Sequence, residues 1–180
     1  GWRIEQIAAA LSQRTYINVN AEVFLAHAQM ATTQPGKYAF VEYLPPGGTV
    51  EGLLRPDTYI FQPRATTIDV FEQLFTTADR QLEHLRQEAV GNGNSWYEIL
   101  TLASIVERET IHDDEGALIA GVFLRRLQLG MPLSADPTTQ YAIARPGDWW
   151  PRLTFDPRQV EHPYNTYTIL GMPPGPICSP

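Results

Sequence analysis

Two glutamates separated by one residue stand near the end of the run Ala103-Ser104-Ile105-Val106-Glu107-Arg108-Glu109-Thr110. The residues before them are strongly apolar. A helix that buries its faces seldom carries acids there unless they are paired or used. A glutamate held against apolar side chains has a raised pKa and stays protonated near neutral pH. A general acid for cleavage of a glycosidic bond needs that property. Residues two apart on a helix point about 200° from each other, so these acids cannot share a pocket. Glu109 follows Ile105 and Val106 by one turn and Leu102 by two. Glu107 falls nearer Leu100, Ala103 and Ser104, at the edge of the apolar face. By position Glu109 is the more desolvated and the better acid. The plainer alternative makes both solvated partners of Arg108, Arg125 or Arg126. Acids at a helix C-terminus oppose the macrodipole, which slightly favours a purpose other than stability.

Three further segments are rich in polar and turn-forming residues. Glu51 through Tyr59 contains Pro56-Asp57-Thr58-Tyr59, and Leu133 through Tyr141 contains Asp136-Pro137-Thr138-Thr139. An Asp before Pro, such as Asp136, is pushed out of the helical region and can cap the turn that follows. His162 through Tyr167 and Gly171 through Pro176 form the third. On rigid loops, Asn165, Thr166, Tyr164 and Tyr167 can bond sugar hydroxyls and acetamido groups or stack on sugar faces; equally, they can simply anchor the loop. Other chemistries find little support. The four histidines lack metal spacing and a partner cysteine. There is no phosphate-binding glycine loop and no nucleophile elbow. Cys178, the single cysteine, reads as incidental, and no metal or cofactor is expected.

The 180 residues, 43% of them apolar, suffice for one core. A net charge of −7 excludes a nucleic-acid surface of the usual basic kind. No run approaches a membrane span. Ile4, Ile7, Ala8 and Leu11 predict a helix over 2–13. Asn20 caps a second helix containing Val23, Phe24 and Met30. Prolines and glycines from Pro35 to Gly48 make 34–49 a loop. Residues 50–62 are partly extended. Thr67 caps a long helix with Ile68, Phe71, Leu74, Phe75, Ala78, Leu82 and Leu85 inward. Ser95 and Glu98 form a capping box for the helix of the two glutamates. Asp113 or Asp114 caps the next helix, with Leu118, Ile119, Val122, Phe123 and Leu127 inward and Gly130 as its stop. A short helical turn follows Pro137, residues 145–163 form a loop or hairpin, and 166–170 resemble a strand. Helices with a few short strands, without βαβ alternation, give α+β rather than α/β.

Taken together, the runs at Glu51–Tyr59, Leu102–Thr110, Ile119–Phe123 with Arg126-Leu127 and Gly130-Met131, Asp136–Thr138, and Pro163–Tyr167 through Gly171–Pro176 resemble the endolytic murein transglycosylase family, the MltG or YceG-like proteins. Their order and spacing fit from end to end. The departures are Leu54-Arg55, where an aromatic is usual before Pro-Asp-Thr-Tyr, Cys178, and the Trp149-Trp150 loop. The resemblance implies one mainly helical catalytic domain with a lysozyme-like active-site helix. Residues 1–49 would form its N-terminal helical part and 50–180 its core. Upstream, a membrane anchor and a LysM-like module are expected to be missing here, as is a C-terminal stretch. The whole protein is expected to be single-pass, with this part outside the cytoplasmic membrane. Glycan strands of peptidoglycan are the expected partner, with cell-wall synthases a further expectation.

The family's catalytic glutamate maps onto Glu109. As a lytic transglycosylase, a carbon–oxygen lyase, it would protonate the leaving oxygen between N-acetylmuramic acid and N-acetylglucosamine. Its carboxylate would then take the C6 hydroxyl proton as that oxygen attacks C1, leaving a 1,6-anhydromuramoyl end. One carboxyl group can serve both steps. Glu107, Asp136, Thr138, Tyr141, Tyr164, Asn165, Thr166 and Tyr167 are the expected binding or supporting residues. The rivals are a hydrolase in which Asp136 or Glu107 activates water, and a glycan-binding scaffold that does not cut.

Overall fold

The computed structural model describes residues 1–34, 36–112 and 114–180, so Pro35 and Asp113 of the expectations above lie outside the described residues. Two of the longer helices start where the sequence supplies a side-chain cap. In α2 (Ala21–Ala31) the Asn20 side chain accepts from the Val23 N–H at 2.9 Å, as expected. In α4 (Thr67–Gly91) the cap is Thr66 rather than Thr67, because Asp69 stands three residues on and closes a capping box. Thr67 instead turns its hydroxyl to the chain before α2, accepting from the Asn20 N–H at 2.9 Å. The first helix, α1, spans Ile4–Ser12. A short helix, α3 (Ala39–Glu42), interrupts the expected loop at 34–49. Its first N–H groups at Ala39 and Phe40 are held by Asp79 of α4, at 3.1 and 2.8 Å.

The chain forms two compact units, and the division falls after Trp96, not at residue 49. One unit holds Trp2–Trp96 with Ser179. Its core is an aromatic cluster: Phe71 stacks on Phe75 at 4.1 Å, Phe24 meets Phe71 edge-on at 5.4 Å, and Tyr38 and Phe40 pack alongside. Ile68, expected inward, is half exposed at the start of α4. Residues 50–62 belong to this unit but form no strand. Their extended pieces are fixed by side chains of α4, with Gln73 donating to the Ile60 carbonyl and Gln81 to Asp57, both at 3.0 Å.

Glu51 is buried in this unit and takes the place of a cap for α1. It accepts from the Ile4 N–H at 3.0 Å and from the Gly52 N–H at 3.1 Å. Burial, followed by the charge of Glu5, pushes its carboxyl from 4.5 to about 8, although Arg3 and the two N–H groups pull it down. Between those limits the folded unit keeps a proton that the unfolded chain has released. Stability therefore falls as pH rises through that window. Thermal melts are expected to show a lower midpoint at about pH 9 than at about pH 5. Glu51→Gln should flatten that slope; an unchanged slope would contradict the assignment.

The other unit holds Gly1, Tyr97–Cys178 and Pro180. It contains nearly all of α5 (Trp96–Glu109), with α6 (Gly116–Gln128) and α7 (Asp136–Ile143). Ile105, Phe123, Leu133, Ala135, Ile177 and Cys178 make its core, with Leu102, Val106, Ile119 and Leu127 packed against it. The inward stripe of α6 is the four-residue series Ile119–Phe123–Leu127. Leu118 and Val122, expected inward, lie one residue off it and are exposed. The N-cap position of α6 is Glu115, not Asp114, and its side chain makes no cap bond to the helix. The α6 stop is as expected: Gly130 takes the left-handed conformation at φ 65°. No strand forms over 166–170, which are turns and bends. Among the described residues the only β pairing is in isolated bridges, so the mainly helical part of the expected fold holds and the α+β part does not. No helix of the described residues is long and apolar enough to cross a membrane.

Candidate active site

Glu109 is the last residue of α5, half-buried at the edge of the core that Ile105 enters. Asp136 is the first residue of α7. Its carboxylate and its backbone N–H both act on the Glu109 carboxyl, the first raising and the second lowering its pKa. Burial first, and the Asp136 charge second, push the Glu109 carboxyl above the ordinary glutamate range. The Asp136 N–H and the Arg126 guanidinium oppose them, and the net direction is upward. Thr110, next in sequence, turns its hydroxyl back to the Val106 carbonyl at 2.7 Å.

Tyr167 completes the group by donating its hydroxyl to Asp136 Oδ1 at 2.6 Å. Burial, then this bond, then the charges of Asp136 and Glu109 push the phenol up to about 12. It therefore stays protonated and keeps its hydrogen on Asp136. Glu107 is elsewhere. Its side chain is 42% exposed and meets the Gly1 amino nitrogen at 2.8 Å, outside the group around Glu109. The angular argument from the sequence accounts for that separation.

The loop that leads into Asp136 is held in an unusual path. Ser134 has φ 50°, a left-handed conformation that serine seldom adopts. Its N–H donates to the Thr166 carbonyl at 3.0 Å, and the Ala135 N–H donates to the Thr166 hydroxyl at 3.0 Å. Thr138 donates to the Ala135 carbonyl at 2.7 Å, and the two threonine hydroxyls lie 2.8 Å apart. Arg126 donates to the Leu133 carbonyl. All of these but the contact between the two threonine hydroxyls engage a backbone atom.

Asn165 does the same for the segment that carries Tyr167. Its amide nitrogen donates to the carbonyls of Pro157 and Val160 at 2.8 and 2.7 Å. Its oxygen accepts from the Thr139 hydroxyl at 2.8 Å and the Tyr167 N–H at 3.1 Å. Thr138, Asn165 and Thr166 are fully buried. They hold the loops and offer no surface to a ligand. Tyr141 and Tyr164 are half-buried, with ring centroids 4.7 Å apart. The closing Pro-Pro-Gly-Pro loop packs beside them: a Cβ on Gly175 would lie 2.5 Å from the Tyr97 hydroxyl and 3.3 Å from that of Tyr164. Behind the site, the Ile177 N–H donates to the Ser104 hydroxyl at 3.0 Å, and Cys178 is fully buried in the core. Trp150 lies beneath the Arg108 guanidinium at 4.1 Å.

Sequence reasoning brought Glu109, Asp136 and Tyr167 forward as separate candidates, and the fold brings them together. It gave Arg126 a place only as a solvated ion-pair partner and within a family-like run, and gave Ser134 and Thr139 no role of their own. The position of Arg126 in the last turn of α6, just before the Gly130 stop, is the one signal that could have shown Arg126 aimed at the next loop.

A family model described as YceG-like matches residues 1–180. A Bacillus subtilis protein named endolytic murein transglycosylase is 34% identical over 131 residues, covering 72% of this chain and 36% of that relative. A Streptococcus pneumoniae protein of the same name is 30% identical over an alignment that takes in 100% of this chain and 35% of that relative. The crystal structure of a yceG-like protein from Listeria monocytogenes superimposes with a TM-score of 0.75 at 26% identity, over 99% of this chain and 60% of that one. The chain spans about a third of the length of the curated relatives it matches.

Proposed function

This chain belongs to the YceG-like family, and from that we propose that it carries the glycan-cleaving site of an endolytic murein transglycosylase. In this reading α5 is a lysozyme-like active-site helix and Glu109 is the acid at its end. Protonated Glu109 gives its proton to the oxygen that joins N-acetylmuramic acid to N-acetylglucosamine, and that bond breaks at C1. The carboxylate left behind takes the proton of the C6 hydroxyl as this oxygen bonds to C1. The product is a 1,6-anhydromuramoyl end, no water enters, and Glu109 is protonated again. The observation that carries the reading is the Glu109 carboxyl itself, held above its ordinary range by burial and by Asp136. The family reading also puts this part outside the cytoplasmic membrane, in a membrane-anchored protein that works beside cell-wall synthases.

Asp136 next to Glu109 gives one rival its footing, because an exposed carboxylate there is placed to activate water. Mass analysis of products from purified glycan strands separates the readings. The transglycosylase reading predicts anhydro ends, lighter by one water than hydrolytic products. Reducing ends would make the protein a hydrolase, and binding without cleavage would make it a scaffold.

Asp136→Asn is expected to move the alkaline limb of the pH–rate profile to lower pH. The substitution removes the charge that raises Glu109 while keeping the backbone N–H that opposes it. Glu109 must be protonated to start the reaction, so a lower pKa ends activity sooner as pH rises. A limb that stays in place or moves up would contradict this assignment.

A further inference from the structure

Two side chains of opposite charge stand in the chain after α7, and the proposed reaction uses neither. Arg158, Glu161, His162, Pro163, Thr168 and Ile169 line an open cleft of about 400 Å³ in the unit that carries Glu109. Glu161 is exposed, and among the described residues its carboxylate meets no partner. The Arg158 guanidinium meets Asp156 at 3.5 Å, with the two side chains 72% and 47% exposed. A pair so open is worth little. Asp156 has its own tie to the backbone, since its other oxygen accepts from the Arg158 N–H at 3.1 Å and caps the turn Pro157–Gln159. The guanidinium therefore keeps most of its five donors for a ligand. His162 accepts from the Tyr164 N–H through Nδ1 at 3.2 Å, which leaves Nε2 as the N–H of the neutral ring.

The cleft is tied to the candidate active site through buried bonds. The Asn165 amide donates to the carbonyls of Pro157 and Val160, which flank Arg158 and lead into Glu161. Its oxygen accepts from the Tyr167 N–H, and the Tyr167 hydroxyl reaches Asp136. One side chain thus sets the charges of the cleft and the phenol of the site together. A second link is aromatic: the His162 ring lies 5.9 Å from that of Tyr164, and Tyr164 lies 4.7 Å from Tyr141 of α7. A guanidinium and a carboxylate in one cleft suit a short chain that carries both charges, not a bare sugar, whose hydroxyls carry none. In murein the muramic acid units bear such a chain, a short peptide with free carboxylates and a free amine. We propose that this cleft binds the peptide borne by the bound strand, with Arg158 on a peptide carboxylate and Glu161 on its amine. This rests on the glycan-strand reading given above and makes the two residues determinants of specificity.

The test is binding, followed by NMR titration of the intact protein at fixed ionic strength. One probe is the disaccharide of N-acetylglucosamine and N-acetylmuramic acid with its lactyl carboxyl capped as an amide. The other is the same disaccharide bearing a short peptide with a free amine and free carboxylates. The peptide-bearing probe is expected to bind roughly tenfold more tightly, since each open charge pair is worth only a few-fold. Arg158→Gln and Glu161→Gln, both at exposed positions, should each cut that advantage to roughly threefold. Acetylating the amine of the probe should weaken binding to the parent but not to the Glu161→Gln protein, and amidating its carboxylates should do the same for Arg158→Gln. Equal binding of the two probes by the parent, or binding of neither, overturns the proposal. So does an advantage that both variants keep in full, or variants that lose affinity for both probes alike. Binding needs no proton transfer, so the two readings fail separately. A protein that prefers the peptide-bearing probe yet releases no anhydro ends keeps this inference and loses the mechanism. One that releases anhydro ends without that preference loses this inference alone.

Discussion

Replacing Glu109 by glutamine is expected to lower glycan-strand cleavage by at least the roughly 10²–10⁴-fold typical of a lost general acid. In the proposed reaction the same carboxyl also acts as base, so the loss should lie toward the upper end of that range. The fold should not suffer. Glutamine matches glutamate in shape, and the Glu109 carboxyl makes no hydrogen bond to another side chain among the described residues. The exchange also removes a negative charge that opposes the dipole at the end of α5 and repels Asp136. The variant should therefore melt no lower than the parent, and at slightly higher temperature above neutral pH. Activity assays paired with thermal melts check both halves. Loss of activity together with a lower melting point would point to a structural residue instead of an acid.

The second large effect is expected at a residue that touches no substrate. Asn165→Ala removes four bonds in one step and strands the carbonyls of Pro157 and Val160, the Thr139 hydroxyl and the Tyr167 N–H. Each buried group left unpaired costs about 1–3 kcal/mol, and some of them will regain water, so the net loss should be roughly 3 kcal/mol. For a unit of this size that corresponds to a fall in melting temperature on the order of 10 °C. Asn165→Asp is the sharper variant. It keeps the volume and the oxygen facing Thr139 and Tyr167, but turns a second oxygen toward two carbonyls. It should be at least as unstable as the alanine variant. If it were as stable as the parent, the side chain would be filling space, not fixing the loop. Both variants should also lose activity, because Tyr167 and Asp136 are set by the same loop.

The separation of Glu107 from Glu109 was legible in the sequence because it depends only on the angular step of a helix. The cap at Asn20 and the stop at Gly130 were legible for the same kind of local reason. The start of α4 was misread by one residue, since two threonines stand together and only the position of Asp69 tells them apart. The missed helix α3 is capped by Asp79, forty residues on in the chain, which no local pattern reveals. Tyr59-Ile60-Phe61 marks 50–62 as partly extended, but the glutamines of α4 that fix this stretch lie more than ten residues on, where no local pattern reveals them.

At the site the limits are of the same kind. Polar residues on a rigid loop looked suited to bind sugars, but Thr138, Asn165 and Thr166 spend their polar atoms on backbone. Residue type alone does not tell those uses apart. The chain enters Asp136 through a left-handed turn at Ser134. Serine gives no sign of that conformation, as glycine would have done.

The most direct measurement is the titration of the Glu109 side chain itself, followed by carbon NMR of the labelled carboxyl and assigned with the Glu109→Gln protein. The structure predicts a midpoint above the ordinary glutamate range, because burial and the Asp136 carboxylate outweigh the opposing N–H and guanidinium. A midpoint at or below the ordinary range would mean that Glu109 is ionised where the proposed reaction needs it protonated, and would contradict its assignment as the acid.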